Sequence, residues 1–252
     1  MKKTLLFKLL LVTLSLVMML SCFVACDKEP ADDGKGTTQN GDSANNGGNN
    51  ADNGNKTPTT STELSAMVAE INAFKAEDFE ETTEKTEYLK VVVKDYGEII
   101  IRLRYEIAPS NVGGFQWLVP YGWFNGLTFH RVVKDGYIHG GCPNGDGTGV
   151  SGISLKGEFS ENGRDNPLKH VRGVVSAFRF DDDVNSASCQ FLILTNDCPQ
   201  FDGNRTAMGY VVAGMEVVDA IAAVEVKDNG KGEISAPVEK IVMEKVCFVK
   251  MK

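Results

Sequence analysis

The residues of this chain that are best suited to chemistry lie between Phe129 and Gly149, in the stretch FHRVVKDGYIHGGCPNGDGTG. The stretch contains two of the chain's three histidines, an arginine, a cysteine and several glycines. Imidazole and thiolate groups bind zinc, a thiol beside a histidine can act as a nucleophile, and glycine-rich loops can surround phosphates. Four possibilities follow: a metal site, a thiol nucleophile, a phosphate-binding loop, or a binding surface shaped by tight turns.

The metal and nucleophile hypotheses both lack a necessary partner. His130, His139 and Cys142 offer three ligands, but their spacing matches no familiar zinc motif and no fourth ligand is evident. Cys142 has His139 nearby as a base, but no third group that would orient this base can be named. The sequence therefore predicts no metal site, and Cys142 is a weak candidate for a nucleophile.

The glycines at residues 147–152 read GTGVSG and match the dinucleotide-binding pattern GxGxxG. That pattern matters where it opens a helix whose N-terminus faces the pyrophosphate, but here ISLKGEFS follows, and Gly157 prevents a long helix. No GxxxxGK sequence occurs in the chain either. Tight turns that require a positive φ explain these glycines better than nucleotide binding does.

Arg131 is the remaining candidate, because it lies in the middle of the apolar run LTFHRVV. The strand period of two places it on the face of Phe129 and Val133, opposite His130 and Val132. Two interpretations stay open at this point. Arg131 is either an edge arginine whose guanidinium reaches water, or a functional cation among apolar groups.

Strands and short helices must position this stretch. YLKVVVKDYGEIIIRLRY predicts a β-hairpin around residues 95–97. Further strands are predicted at LTFHRVV, GVVSAF, CQFLILT, AMGYVV and KIVMEKVCFV, and short helices at APSNVGGFQWLV and MEVVDAIAAV. Many strands with glycine-rich connections indicate a mainly β domain over residues 87–252, either a closed antiparallel barrel or a sandwich.

The N-terminal part of the chain is organised differently. Residues 1–26 begin with lysines, continue with an apolar run and end in small residues before a cysteine, which is the order of a secretory signal peptide; a transmembrane span is the alternative. Residues 27–61 hold almost no large apolar side chain and are predicted to be a disordered, flexible linker. Residues 62–86 are predicted to form an amphipathic helix, apolar from Leu64 to Phe74, and a connector.

The sequence FVAC resembles the lipobox of bacterial lipoproteins, in which the cysteine is acylated and becomes the mature N-terminus. Cys22 is a second candidate for this cysteine, but Cys26 is preferred because a strongly polar segment begins directly after it. The resemblance implies an extracytoplasmic protein that a lipid anchors to the cell membrane.

Charge and the other cysteines limit the partners and the cross-links. The formal net charge of −8, with no lysine or arginine cluster after the signal, argues against a nucleic-acid partner, because neutralising phosphates requires a basic face. The remaining cysteines show no CxxC spacing, so disulfides and buried free thiols both stay open. Free thiols are favoured because a domain of this size does not need cross-links; the residues concerned are Cys142, Cys189, Cys198 and Cys247.

The stretch that begins at Phe129 resembles the signature of the cyclophilins, the peptidyl-prolyl isomerases, usually written FHRVIxxFMIQGGDPTGTG. The resemblance extends from Tyr88 to Lys250 and includes APSNVGGF, KGEFSENGRDNPLKHVRGVVSAFR, NSASCQFLILT and FDGNRTAMGYVVAGMEVVDAI. It implies a closed eight-stranded antiparallel β-barrel capped by two α-helices. It also implies isomerisation of Xaa-Pro bonds in proline-containing polypeptides, by an enzyme that needs no cofactor or metal, and we expect a monomer.

The same resemblance assigns roles to individual residues. Arg131 corresponds to the catalytic arginine, His130 to the active-site histidine beside it, and Gln190 to a glutamine that helps to hold the substrate backbone. A guanidinium aimed at the proline nitrogen binds the twisted amide better than the planar one, as catalysis requires. The positions implied to contact substrate are Tyr137, His139, Phe178, Arg179, Leu192, Phe201 and Arg205.

Several of these positions depart from the family pattern. Gly136 and Leu192 stand where the family has pocket phenylalanines, and His139 stands where it has a backbone-binding glutamine. At roughly 25 cal/mol per Å² of apolar surface, the loss of two aromatic walls weakens proline binding by more than about 1 kcal/mol, unless other aromatic residues refill the space. The sequence therefore predicts an isomerase that assists the folding of exported proteins. The alternative is a catalytically weak or inactive peptide-binding or chaperone module on the same barrel.

Overall fold

The computed structural model describes residues 61–252. The predicted signal peptide, Cys26 and the predicted linker up to residue 60 lie outside the described residues. The described chain begins with helix α1 (Ser61–Ala69), strand β1 (Phe79–Glu81), strand β2 (Tyr88–Val93), strand β3 (Gly97–Leu103), helix α2 (Pro109–Leu118), strand β4 (Thr128–Val133) and strand β5 (Tyr137–Gly140). It continues with β6 (Val174–Ala177), β7 (Phe191–Leu194), β8 (Thr206–Ala213), helix α3 (Met215–Ala222), β9 (Val226–Asp228), β10 (Ile234–Pro237) and β11 (Ile241–Met251).

Eight of these strands form a closed antiparallel barrel in the order β11, β2, β3, β8, β6, β7, β5, β4. Strand β4 closes the barrel by pairing with the start of β11. The predicted eight-stranded barrel is therefore confirmed, and the sandwich alternative is excluded. Strands β9 and β10 form a separate two-stranded hairpin outside the barrel, which we call the β9–β10 hairpin.

The barrel interior follows from alternating apolar residues. In the predicted hairpin of β2 and β3, Val91, Val93 and Ile99 are buried, and the turn uses a positive φ of 65° at Asp95. The two predicted helices are confirmed as α2 and α3, and α2 begins with a proline, whose missing N–H costs nothing in a first turn. Both helices contribute buried residues to the same core as the strands: Val112, Phe115 and Leu118 from α2, and Val217, Val218 and Ile221 from α3.

The helix predicted from Leu64 to Phe74 ends early, at Ala69. Asn72 takes a positive φ of 53°, and the backbone N–H groups of Asn72 and Phe74 each donate to β8 carbonyl oxygens at 3.0 Å. The residues after Ala69 therefore dock on the barrel, because their backbone N–H groups bind β8 carbonyl oxygens instead of carbonyl oxygens of the helix. Strand β1 lies in the stretch predicted as a connector and pairs with the end of β11.

Two further observations concern features that the sequence raised. Within residues 61–252, no helix is both long enough and apolar enough to cross a membrane. The four cysteines of this part are free thiols, and three of them, Cys142, Cys189 and Cys198, are buried.

Candidate active site

Strand β4 contains a bulge that decides where Arg131 points. Phe129 pairs with Gly140 and Arg131 with His139, so two steps along β4 correspond to one step along β5. Phe129 and Val132 are consequently both buried in the barrel core, while Arg131 faces outward. The prediction that Arg131 shares the face of Phe129 is therefore wrong, because the bulge interrupts the period of two.

Arg131 lies on the outer face of the barrel and is held by two side chains. Its Nε and Nη2 donate to the two carboxylate oxygens of Glu233 at 2.8 Å and 2.6 Å. Its guanidinium carbon lies 5.3 Å from the centre of the Tyr137 ring. The third nitrogen, Nη1, has no hydrogen-bond partner of normal geometry among the described residues, and the Tyr137 side chain is the other polar neighbour of the guanidinium. Arg131 therefore has a fixed guanidinium with one unused donor nitrogen.

The two histidines of the signature stretch lie against each other beside Arg131. Their ring centres are 4.4 Å apart, and no ring nitrogen of His130 or His139 has a hydrogen-bond partner of normal geometry in the described part of the chain. Burial lowers the pKa of His130 to about 4. Burial also lowers the pKa of His139 well below its ordinary value; His130 and Arg131 add to this effect, and Gln190 opposes it. Both rings are therefore neutral at pH 7.

Gln190 connects the histidines to the glycine loop. Its Nε2 donates to the carbonyl oxygens of Gly147 at 3.0 Å and of Gly149 at 2.8 Å, while its Oε1 has no partner among residues 61–252. Gly147 has a φ of 85°, and a Cβ atom there would lie 3.5 Å from His130 Nε2. Residues 147–152 form a loop and open no helix, so they lack the context that dinucleotide binding requires.

Cys142 belongs to the packing of this loop. Its sulfur is buried and accepts a hydrogen bond from the Gly149 backbone N–H at 3.2 Å. Across the part of the chain that the structure describes, no group of three or more histidine, cysteine, aspartate or glutamate side chains is placed to hold a metal ion. The geometry therefore gives Cys142 a contact that stabilises the loop.

The predicted contact residues gather in an apolar cluster beside Arg131. Leu192 is buried, and Tyr137, Phe178 and Phe201 pack around it. The Phe178 ring also lies 4.4 Å from the His139 ring, centre to centre. Aromatic side chains thus occupy the space that the sequence predicted to be short of them.

The two predicted contact arginines cover one side of this cluster. The Arg205 guanidinium lies over the rings of Phe201, at 5.2 Å, and Phe178, at 5.9 Å. Arg205 also donates to the Arg179 carbonyl oxygen at 2.9 Å, and Arg179 donates to the Asn204 carbonyl oxygen at 3.0 Å. Both side chains are therefore held in place by backbone acceptors.

A cavity of about 270 Å³ borders Arg131 on the side of the β9–β10 hairpin. Its lining includes His130, Arg131, His139, Gly147, Phe178, Asn229, Lys231 and Glu233, but neither Leu192 nor Phe201. A ligand in this space would contact Arg131 and Phe178. The structure therefore places two predicted catalytic residues, His130 and Arg131, on one cavity, and Gln190 behind its Gly147 wall.

Sequence reasoning missed the β9–β10 hairpin as part of this site. Its Asn229 and Ser235 hold the carboxylate of Glu233, which in turn binds Arg131. The segment VKDNGKGEISAP carries a hairpin signal, because Asp228, Asn229 and Gly230 favour a tight turn. That signal predicts the turn but not its position over β4, which depends on tertiary packing.

Comparison with known proteins extends these observations. Residues 88–246 match the model of the family described as cyclophilin type peptidyl-prolyl cis-trans isomerase/CLD. A peptidyl-prolyl cis-trans isomerase of Helicobacter pylori is 37% identical over 144 residues, which cover 56% of this chain and 84% of the relative. Peptidyl-prolyl cis-trans isomerase B of Bacillus subtilis is 36% identical over 132 residues, which cover 52% of this chain and 87% of the relative.

A solved structure shows the same fold at lower sequence identity. It is a cyclophilin type peptidyl-prolyl cis-trans isomerase of Cryptosporidium parvum, crystallised in the presence of the dipeptide Ala-Pro. The two chains superpose with a TM-score of 0.57 at 22% identity, over 64% of this chain and 98% of the other. At this identity the comparison supports the barrel architecture.

Proposed function

Because this chain belongs to the cyclophilin-type peptidyl-prolyl cis-trans isomerase family, we propose that it rotates Xaa-Pro bonds of polypeptides with Arg131 as its catalytic residue. Its enzyme class is that of the family, peptidyl-prolyl cis-trans isomerase. Rotation of a peptide bond breaks amide resonance, with a barrier of about 18–20 kcal/mol. The enzyme must therefore stabilise the twisted amide relative to the planar one.

Arg131 can provide this stabilisation through its Nη1 nitrogen. In the twisted amide the proline nitrogen regains its lone pair and accepts a hydrogen bond, which the planar amide nitrogen cannot do. Glu233 binds Nε and Nη2 and leaves Nη1 unused, and Arg131 lines the cavity. This unused donor beside an open cavity is the observation that carries the proposal, because the bond it forms is strongest in the transition state.

The surrounding groups suit a neutral peptide substrate. The two histidines are uncharged at pH 7, because burial lowers the pKa of each, so they add no competing cation beside Arg131. Gln190 supports the site from behind, because its Nε2 holds the carbonyl oxygens of Gly147 and Gly149 and Gly147 lines the cavity. Phe178, which lines the cavity, provides an apolar surface against which the proline ring packs.

The test is an NMR exchange measurement of Xaa-Pro isomerisation with the full chain in mild detergent. The full chain is needed because residues 71–81 pack and pair with the barrel. We expect the parent to accelerate exchange and the Arg131→Ala variant to lose on the order of 100-fold in kcat/KM. Arg172→Ala is the control, since this arginine binds Asp219 of α3 away from the cavity. A parent no faster than Arg131→Ala would overturn the enzymatic proposal.

A peptide-binding module without catalysis is the second candidate. One observation favours it: Phe178 and Arg205 cover the apolar cluster, and the cavity does not reach Leu192 or Phe201. The same assay separates the two candidates if peptide affinity is measured in parallel. Equal affinity in the parent and in Arg131→Ala, with no acceleration by either, would support the module.

The proposed substrates are polypeptides outside the cytoplasmic membrane. The support for this location comes from the sequence, in which residues 1–26 have the order of a signal peptide and Cys26 ends a lipobox-like sequence. A lipid on Cys26 would anchor the protein at the cell membrane. Replacing Cys26 with alanine should release the protein from the membrane fraction. Anchoring that persists would instead point to Cys22 or to an uncleaved helix.

A further inference from the structure

We propose that Glu233 is a positioning residue for Arg131, and that it fixes the guanidinium in the orientation that leaves Nη1 free for substrate. The inference rests on the proposed catalytic role of Arg131 and assigns a task to the β9–β10 hairpin. It concerns the carboxylate of a residue that lies 102 positions from Arg131 along the chain.

The first support is the geometry of the pair. Two parallel hydrogen bonds, at 2.8 Å and 2.6 Å, join one edge of the guanidinium to both carboxylate oxygens. Such a bidentate contact fixes the plane of the guanidinium as well as its position. Because only Nε and Nη2 are used, the opposite edge of the same plane stays available.

The second support is that the Glu233 carboxylate is itself held. Its Oε2 accepts hydrogen bonds from Asn229 Nδ2 at 3.0 Å and from the Ser235 hydroxyl at 2.8 Å. Ser235 is buried, and the Asn229 backbone N–H donates to the Glu233 carbonyl oxygen at 2.9 Å. Most exposed ion pairs contribute little because both side chains must be ordered. Here the carboxylate is already ordered by its own hairpin.

The third support is that the hairpin is tied to the cavity wall. Lys231, at its tip, donates from Nζ to the Asp146 carbonyl oxygen at 3.2 Å. Asp146 belongs to the glycine loop that Gln190 holds from the other side. The hairpin, the loop and strand β4 therefore form one frame around the cavity, and Glu233 is the point at which the hairpin reaches the arginine.

Arg131 depends on this contact because the described barrel strands offer it no other hydrogen bond of normal geometry. The bulge in β4 directs the side chain outward, where the Tyr137 ring covers one face of the guanidinium. His139 is its partner in the strand pairing, but the His139 ring packs on His130 and Phe178. Among residues 61–252, Glu233 makes the only hydrogen bonds of normal geometry to Arg131. An arginine side chain loses much rotamer entropy when it is ordered, so a preformed pair removes this ordering from the catalytic step.

A competing effect has the opposite sign. The negative charge of a carboxylate next to the guanidinium weakens the positive electrostatic potential at the proline nitrogen. A carboxylate that occupied all the guanidinium nitrogens would also compete with substrate for them. Substrate can approach Nη1 without displacing Glu233, so the positioning effect should exceed the loss of field. Removing the carboxylate is therefore expected to lower catalysis, and the sign of the change decides between the two effects.

The experiment compares Glu233→Ala, Glu233→Gln and Asp228→Asn in the full chain, using NMR exchange on an Xaa-Pro peptide. We expect kcat/KM to fall about tenfold in Glu233→Ala, mainly through kcat, and by less in Glu233→Gln, which keeps one acceptor oxygen. Asp228→Asn is the matched control, because it removes the same charge from the same hairpin and keeps the acceptor for the Gly230 N–H. Its activity should equal that of the parent.

A double variant and one spectroscopic signal complete the test. In the Arg131→Ala background, adding Glu233→Ala should change nothing further, because the carboxylate acts through the arginine. The Arg131 Nε–H signal should exchange slowly with water in the parent and rapidly in Glu233→Ala. An equal loss in both backgrounds would mean general damage to the fold and would overturn the proposal.

The possible failures are distinguishable. If Arg131→Ala loses activity but Glu233→Ala is as active as the parent or more active, the positioning role is wrong and the proposed function stands. If Arg131→Ala is itself as active as the parent, the proposed function fails, and the role of Glu233 fails with it.

Discussion

Two segments of the barrel, residues 130–139 and 170–176, combine the same polar groups and use them differently. Each has a bidentate arginine–carboxylate pair: Arg131 with Glu233 at 2.8 Å and 2.6 Å, and Arg172 with Asp219 at 2.7 Å for both contacts. Each also has buried imidazole. The ring of His170 is fully partnered, by Asp202 at 3.1 Å and Ser176 at 3.0 Å. In the described part of the chain, the ring nitrogens of segment 130–139 have no such partners.

The difference separates a structural segment from one open to a ligand. Buried polar groups are normally hydrogen-bonded, because each unpaired donor or acceptor costs about 1–3 kcal/mol. Segment 170–176 follows this rule. Segment 130–139 leaves the ring nitrogens of His130 and His139 without such partners within the described chain, and both histidines line the cavity at Arg131. A peptide in the cavity would supply the missing partners.

Replacing each arginine with lysine should give the largest contrast between the segments. Lysine keeps the charge but lacks the planar fork, so it cannot both bind Glu233 at two points and present a free donor. We expect Arg131→Lys to lower kcat/KM on the order of 100-fold, and Arg172→Lys to leave it unchanged. The NMR exchange assay measures both. Parent-like activity in Arg131→Lys would show that charge alone suffices and that orientation does not matter.

Replacing a buried histidine with leucine should lower the free energy of unfolding more in segment 170–176 than in segment 130–139. His170→Leu removes partners from Asp202 and Ser176, and should lower the free energy of unfolding by about 2–3 kcal/mol. His139→Leu removes a ring without hydrogen bonds of normal geometry in the described chain, and should change stability by less than about 1 kcal/mol. Urea denaturation measures both values. Equal losses would mean that the His139 ring has a partner after all.

Lowering the pH should destabilise the protein through His130, whose ring, among residues 61–252, lacks the hydrogen bonds that the His170 ring has. The pKa of His130 is lowered to about 4, mainly by burial and also by Arg131 and Lys231, while the Thr128 backbone and Asp146 oppose this lowering. The unfolded chain has the ordinary value of about 6.5 and binds the proton first, so stability falls as the pH drops from about 6.5 to 4. This single group should account for a loss on the order of 2 kcal/mol.

The matched variant for this acid effect is His130→Gln, which cannot take up the proton. Denaturation at pH 7 and pH 4.5 should show a smaller acid loss in His130→Gln than in the parent. Burial also lowers the pKa of His170, but the Asp202 carboxylate, which is hydrogen-bonded to its ring, opposes this lowering. A parent and a variant with the same acid loss would contradict the burial of a neutral His130.

The fold was largely predictable from the sequence because most strands show their core face as alternating apolar residues. The β2–β3 hairpin, helix α2 and helix α3 all carry such patterns together with turn residues. Strand β1 has only three residues, FEE, and no pattern, and its pairing with β11 depends on a distant segment. The early end of α1 was equally unpredictable from the sequence, because it depends on hydrogen bonds to carbonyl groups of β8.

The site was predictable only as far as its residues are close in sequence or belong to a familiar signature. The residues Arg131 and His130 line the cavity and Gln190 holds its Gly147 wall. The bulge that turns Arg131 outward could not be predicted, because a run of apolar residues gives no sign of it. Glu233 was missed because its role depends on where the β9–β10 hairpin lies, which no local pattern encodes. Positions far apart in sequence that meet at one side chain require the structure.

The smallest expected effect is the stability contributed by each carboxylate. Asp219 is about half exposed and has no supporting partner besides Arg172 among residues 61–252, so Asp219→Asn should cost about 0.5 kcal/mol or less. Glu233 is less exposed and accepts two further hydrogen bonds, from Asn229 and Ser235, so Glu233→Gln should cost about 1 kcal/mol. Urea denaturation at pH 7 compares the two variants. If the two variants differ this little in stability but only Glu233→Gln loses activity, the Glu233 pair contributes to catalysis. A larger stability loss in Glu233→Gln would make the hairpin contact mainly structural.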